Sequence, residues 1–214
     1  MQTIGLADAV ELIPDGASIM IGGFMAVGTP ERLVDELVRQ GKRQLTVIAN
    51  DTAMPDRGIG KLVRAGLVRS VIASHIGLNP ETQQKMSEGT IEVELVPQGT
   101  LVERIRAGGY GLGGILTPTG VGTVVAEGKQ TLALGGREYL VETALRADFA
   151  LVHAFLADYL GNLSYALTAR NFNPLIAMAG AAVIATADHM VPVGVIAPDH
   201  VVTPAPLVDY LVGN

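Results

Sequence analysis

The chain has 214 residues, a formal net charge of −6 and no cysteine. That length sets an expectation of one large domain, or one domain with a small appendage. The missing thiols exclude a disulfide framework, a thiolate metal site and a cysteine nucleophile, and the scattered basic residues form no run that would neutralise a nucleic-acid backbone.

Hydrophobic residues make up 49% of the chain but aromatics only 4%, with 26 glycines. Such a composition favours buried parallel strands and close-packed helices, hence an α/β fold. Four scattered histidines leave little for a metal site, and none is expected. Residues 1–10 carry no positively charged segment, and the longest apolar stretch, residues 175–187, is shorter than the ~20 residues of a spanning helix. The expectation is a cytoplasmic protein with no membrane association.

In chain order, β-branched runs predict strands at Ser18–Ile21 and at residues 45–49, 68–73 and 91–96. Between them lie helical patterns. Thr29-Pro30-Glu31 supplies a cap, a first-turn proline and an early acid, with Gly41 as the stop. Asn79-Pro80-Glu81 repeats that start for a helix ending near Gly89. Consecutive strand–helix units place their turns on one edge of a parallel sheet, where ligands bind. Those turns span residues 22–28, 50–52, 74–77 and 97–99.

Residues 101–107 read as helical, and the glycine-rich stretch 108–123 that follows reads as a long ordered loop. Further strands are predicted at Thr131–Leu134 and at residues 149–154 and 181–186. The overall expectation is an open, mostly parallel sheet flanked by helices. A smaller second sheet portion is expected in one domain over residues 1–214, with a small subdomain at about 107–147.

Gly109-Tyr110-Gly111-Leu112-Gly113-Gly114 has the form G-x-G-x-x-G, but it follows a helical stretch rather than a strand, which argues against a dinucleotide site. Ser74 and His75 are strand neighbours, pointing to opposite faces and unable to act as nucleophile and base together. Asp148, His153 and Asp158 surround an apolar run without further ligands, and Tyr165 and Phe172 read as packing.

Glycines directly after a buried strand can turn backbone N–H groups toward an anion, helped by a helix N-terminus. The loop Gly22-Gly23-Phe24-Met25-Ala26-Val27-Gly28 has this form. The longer string from Asp15-Gly16 through Ile19-Met20-Ile21, Gly22-Gly23-Phe24 and Gly28 to Pro30 resembles the alpha-subunit signature of family I CoA-transferases. Further segments resemble the acetate/acetoacetate branch of that family in the same order. They include Ile48-Ala49-Asn50-Asp51-Thr52-Ala53, Val96-Pro97-Gln98-Gly99-Thr100-Leu101, residues 116–123, Glu127-Gly128-Lys129 and Arg170-Asn171-Phe172-Asn173-Pro174.

The resemblance implies that an acyl-CoA thioester is attacked by a glutamate, giving an acyl-glutamyl anhydride and then a glutamyl-CoA thioester. That glutamate lies in a Ser-Glu-Asn-Gly motif of a separate beta subunit, in an α2β2 heterotetramer. The nearest string here, Ser87-Glu88-Gly89-Thr90, lacks the Asn and closes a predicted surface helix. No nucleophile is therefore expected in this chain. The resemblance assigns residues 22–28 to binding CoA, as substrate rather than a permanently bound cofactor, and Gln98, with Asn50 ranked below it, to oxyanion and substrate support. A Cβ on Gly23 would intrude on the ligand. The second substrate is a short-chain carboxylic acid. Succinyl-CoA:3-oxoacid and 3-oxoadipate enzymes share much of the pattern and stay open as alternatives, as does a non-catalytic acyl-CoA sensor. A sugar-phosphate isomerase would need charged groups that residues 22–28 lack.

Overall fold

The computed structural model of the chain describes residues 1–213. Its main sheet runs in the order β1 (Gln2–Ile4), β12 (Tyr210–Val212), β11 (Gly180–Val191), β9 (Ala147–Asp158), β2 (Ser18–Ile21), β3 (Leu45–Asp51), β4 (Val68–His75) and β5 (Glu92–Leu95). Every pairing along that path is parallel. A short β10 (Leu163–Ser164) pairs antiparallel with β9.

Side chains alternate between two cores because successive strand residues face opposite sides. Ile19, Ile21, Val47, Ala49, Val71 and Ala73 pack on one face against α1 (Leu6–Glu11), α2 (Glu31–Gln40) and α3 (Ile59–Arg64). Met20, Ile48, Ala150, Val152, Val183 and Ala185 pack on the other against α5 (Gln98–Gly109) and α6 (Asn173–Ala179). The strands are thus buried on both sides, as their near-continuous apolar runs require.

All the predicted strands are present, with β9 and β11 extending past the forecast to 12 residues each. Gly41 closes α2 at φ 67°, and the Asn79 side chain caps α4 (Pro80–Ser87) by accepting from the N–H groups of Glu81 and Thr82 at 3.1 and 3.2 Å. Two expectations need correction. Thr29 does not cap α2; its hydroxyl donates to the Gly22 carbonyl at 2.9 Å. Residues 108–123 are not one long loop, because α5 runs through Gly109 and β6 (Gly114–Thr117) begins five residues later. Strand β6 joins β7 (Thr131–Leu134) and β8 (Arg137–Thr143) in a separate antiparallel sheet of order β6-β8-β7.

The crossovers set the functional geometry. From β2 the chain winds outward through β3, β4 and β5, while β9, β11 and β12 lie on the other side of β2. The loop after β2 therefore sits where the strand order reverses, the crevice in which open α/β sheets bind ligands.

Candidate active site

Phe24 to Val27 form a tight two-residue turn. The Phe24 N–H donates to the Val27 carbonyl at 3.0 Å and the Val27 N–H to the Phe24 carbonyl at 2.9 Å. Both central residues are left-handed, Met25 at φ 50° and Ala26 at φ 70°. For residues with a Cβ this conformation costs about 1 kcal/mol or more each, so the surroundings must hold it. Two anchors do so.

The first anchor is Asp51, at the carboxyl end of β3 and only 3% exposed. Both of its carboxylate oxygens accept from the Met25 N–H, at 3.2 and 3.1 Å. Burial pushes its carboxyl pKa up, partly opposed by that N–H bond. The second anchor is Asn173, the first residue of α6 and fully buried. Its Nδ2 donates to the Gly28 and Ala169 carbonyls, both at 2.9 Å, and its Oδ1 accepts from the His153 N–H at 3.1 Å. A Cβ on Gly22 would overlap the Asn173 carboxamide, and one on Gly23, at φ 101°, would overlap Thr29. The clash expected at Gly23 is thus with the loop's own returning limb.

Asn50 and Gln98 meet beside this loop. Asn50 is 1% exposed, and its Oδ1 accepts from the Ser74 hydroxyl at 2.7 Å and from Gln98 Nε2 at 2.9 Å. Its Nδ2 is buried without a partner among the described residues. Gln98 does not occupy a turn, as its place after a strand suggested; it is the first residue of α5. Its exposed carboxamide thus stands at the positive end of a 12-residue helix whose first N–H groups have no partner within the helix. One Nε2 hydrogen is used on Asn50 and the other is free to donate.

Of the four turns predicted to converge, residues 22–28 and 50–52 meet through Met25 and Asp51, and residues 50, 74 and 98 meet through Asn50. Ser74 serves Asn50 and not His75. Glu88 follows α4 on the surface and accepts from Gln84 Nε2 at 2.7 Å. Asp148 and Asp158 are taken by Ser18 and by Asn162. His153 lies between Thr186 and Asp188, with ring nitrogens 2.9 and 3.2 Å from them. Tyr165 is more than packing: its hydroxyl pairs with Thr203 at 2.7 Å, and burial pushes its pKa up to about 12.

Asp51 and Asn173 carry the loop, a role that sequence reasoning misses. A local signal exists, since an Asx at a strand end and an Asn before a helix proline are turn-forming residues, but it points to their own turns rather than to a partner loop. Among the described residues, no three or more His, Asp or Glu side chains group closely enough to hold a metal ion, and no helix is long and apolar enough to cross a membrane.

A doubly wound α/β sheet whose carboxyl-edge loops gather at the point of strand reversal defines an open ligand-binding α/β protein. The chain belongs to the Coenzyme A transferase family, matching it over residues 3–214. It is 58% identical to the alpha chain of the acetate CoA-transferase of Escherichia coli K12, over 97% of this chain and 94% of that one. It is 44% identical to one of the subunits of the 3-oxoadipate CoA-transferase of Pseudomonas putida, over 97% and 90%. Among solved structures it resembles an acyl-CoA transferase of E. coli O157:H7 in a thioester complex with CoA. The TM-score is 0.88 at 25% identity, over 99% of this chain and 47% of that one, so the chain spans about half its length.

Proposed function

We propose that this chain is the alpha subunit of a short-chain acyl-CoA:carboxylate CoA-transferase of the acetate/acetoacetate type, completed by a beta subunit whose Ser-Glu-Asn-Gly motif supplies the nucleophile. The single observation that carries this is the 58% identity to the alpha chain of an acetate CoA-transferase over nearly the whole of both chains. The geometry is compatible with it. A glutamate carboxylate from the partner attacks the thioester carbonyl and expels CoA thiolate, leaving an acyl-glutamyl anhydride; the thiolate attacks the glutamyl carbonyl of that anhydride, and the first acid departs as its carboxylate. The acceptor carboxylate then runs the same two steps in reverse on the glutamyl-CoA thioester, which frees the glutamate again. Each addition puts negative charge on a former carbonyl oxygen. The free Nε2 hydrogen of Gln98, at a helix's positive end, is suited to that charge, and one such donor is worth roughly 3 kcal/mol. Asn50 holds Gln98 in place, and the 22–28 loop, fixed by Asp51 and Asn173, forms the wall against which the CoA ester lies.

In this reading the assembly is an α2β2 heterotetramer in the cytoplasm, and CoA enters and leaves as substrate. The test is to co-purify the chain with a partner of similar size and add acyl-CoA. Hydroxylamine should then inactivate the pair only after acyl-CoA is present. Turnover by this chain alone would sink the two-subunit reading. Acyl choice is settled by a panel of acetate, butyrate, succinate and 3-oxoadipate as acceptors on the same pair.

A further inference from the structure

Beside the glycine loop lies an open hollow of about 750 Å³, within the roughly 300–1,000 Å³ typical of small-ligand sites. Its walls are apolar, with Phe24, Val27 and Leu167 38%, 52% and 94% exposed. Two arginines, Arg57 and Arg170, line it, and no carboxylate does. We propose that this hollow binds the phosphate-bearing nucleotide end of the CoA ester, with Arg57 and Arg170 as its phosphate ligands.

All but one of the basic residues elsewhere are already occupied. Seven of the 15 lysines and arginines form ion pairs, in most cases at 3.1 Å or less. Arg32, Lys42, Arg69 and Arg146 donate to carbonyl or hydroxyl oxygens, and Arg137 lies over the Tyr139 ring. Among the described residues this leaves Arg57, Lys85 and Arg170 with side chains bound to nothing. Two of these three, 113 positions apart in sequence, have been brought to one hollow of an acidic protein. Planar guanidinium groups match phosphate oxygens two at a time.

Backbone strain is concentrated at the same place. Of six non-glycine residues at positive φ, Met25, Leu167 and Asn171 line this hollow. Such conformations cost about 1–3 kcal/mol each and cluster where ligands are clamped. The ligand's polyanionic end fits better than the acid it exchanges. A short-chain acid would leave most of 750 Å³ empty and would need one cation at most. Gln98 and Asn50 are not among the lining residues, which separates the hollow from the carbonyl chemistry, while Met25, which does line it, is bonded to Asp51, the chain neighbour of Asn50.

The assignment rests on the CoA-transferase reading, and the test distinguishes the two. Arg57→Ala and Arg170→Ala are made in the co-purified pair, with Lys85→Ala as a control for loss of one unpaired cation. Each arginine variant should raise KM for the CoA ester about tenfold, as expected for losing a charge-assisted hydrogen bond, with kcat within about twofold. KM for the same acyl group on pantetheine, which lacks the nucleotide, should be unchanged, and Lys85→Ala should match the unaltered protein for both esters. Direct titration with adenosine 3′,5′-bisphosphate should show binding that either arginine substitution removes. Equal effects on both esters, or bisphosphate binding indifferent to both arginines, would overturn the assignment. Loss of the partner chain in the variants would also overturn it, making the hollow an intersubunit contact. If the pair transfers no CoA yet binds the bisphosphate through these arginines, the transferase reading fails and the nucleotide site stands.

Discussion

Replacing Asn173 by alanine tests whether one buried carboxamide holds the site together. The side chain is fully buried and makes three hydrogen bonds to backbone, two donated to the carbonyls of Gly28 and Ala169 and one accepted from the His153 N–H. Truncation strands all three groups, and each unsatisfied buried group costs about 1–3 kcal/mol. Water entering the vacated space would satisfy part of that, so the net loss should be about 3–5 kcal/mol, a large share of the typical 5–15 kcal/mol of a domain. At about 2–4 °C per kcal/mol for a chain of this size, the melting temperature should drop by roughly 10 °C. Asn173→Asp should not rescue it, because a carboxylate oxygen would then face two carbonyls. Thermal denaturation of both variants, with KM for acyl-CoA measured below their transitions, is the assay. Melting within about 2 °C of the unaltered protein, together with unchanged KM, would refute the anchoring role.

On the proposed role of its remaining donor, to stabilise charge that appears only in the transition state, Gln98→Ala should lower kcat about 100-fold while changing KM little; a pure KM effect would contradict that role. Gly23→Val should destabilise the protein as well as abolish turnover, because the added side chain meets Thr29 within the loop and φ 101° disfavours it; a stable variant with normal kinetics would exclude the loop geometry. The Ser18 hydroxyl and N–H hold the Asp148 carboxyl below its ordinary value. The stability it contributes is present above a pH of about 4, near its unfolded pKa, and lost as pH falls through the depressed native value. Asp148→Asn should therefore be less stable than the unaltered protein at neutral pH, with the gap closing in acid. A gap that widened in acid, measured by denaturant titration, would reverse the sign.

The parallel sheet was legible because its strands are buried on both faces and written as unbroken runs such as Thr46-Val47-Ile48-Ala49. Short helices were not. Helix α3 is six residues between Gly58 and Gly66, too short to show a period. Helix α6 opens on Asn173-Pro174 and carries apolar residues on most sides, since it is pressed between β9 and α5. Strand β8 pairs only with its small-sheet neighbours and carries charges at both ends, so it lacks the apolar run that marks the core strands. Residues 22–28, Asn50 and Gln98 could be placed at the sheet's carboxyl edge because each follows a predicted strand, while their proposed roles come from the resemblance alone. The anchoring by Asp51 and Asn173 was not legible, because their partners are 26 and 145 positions away and only the closed sheet brings them together.

The most direct test of the central claim is to treat the co-purified pair with acyl-CoA, reduce it with borohydride, and locate the modified glutamate by peptide mass spectrometry. A reduced residue in the partner's Ser-Glu-Asn-Gly peptide, with every peptide of this chain unmodified, is the predicted result. Modification of a carboxylate in this chain, Asp51 above all, would contradict it.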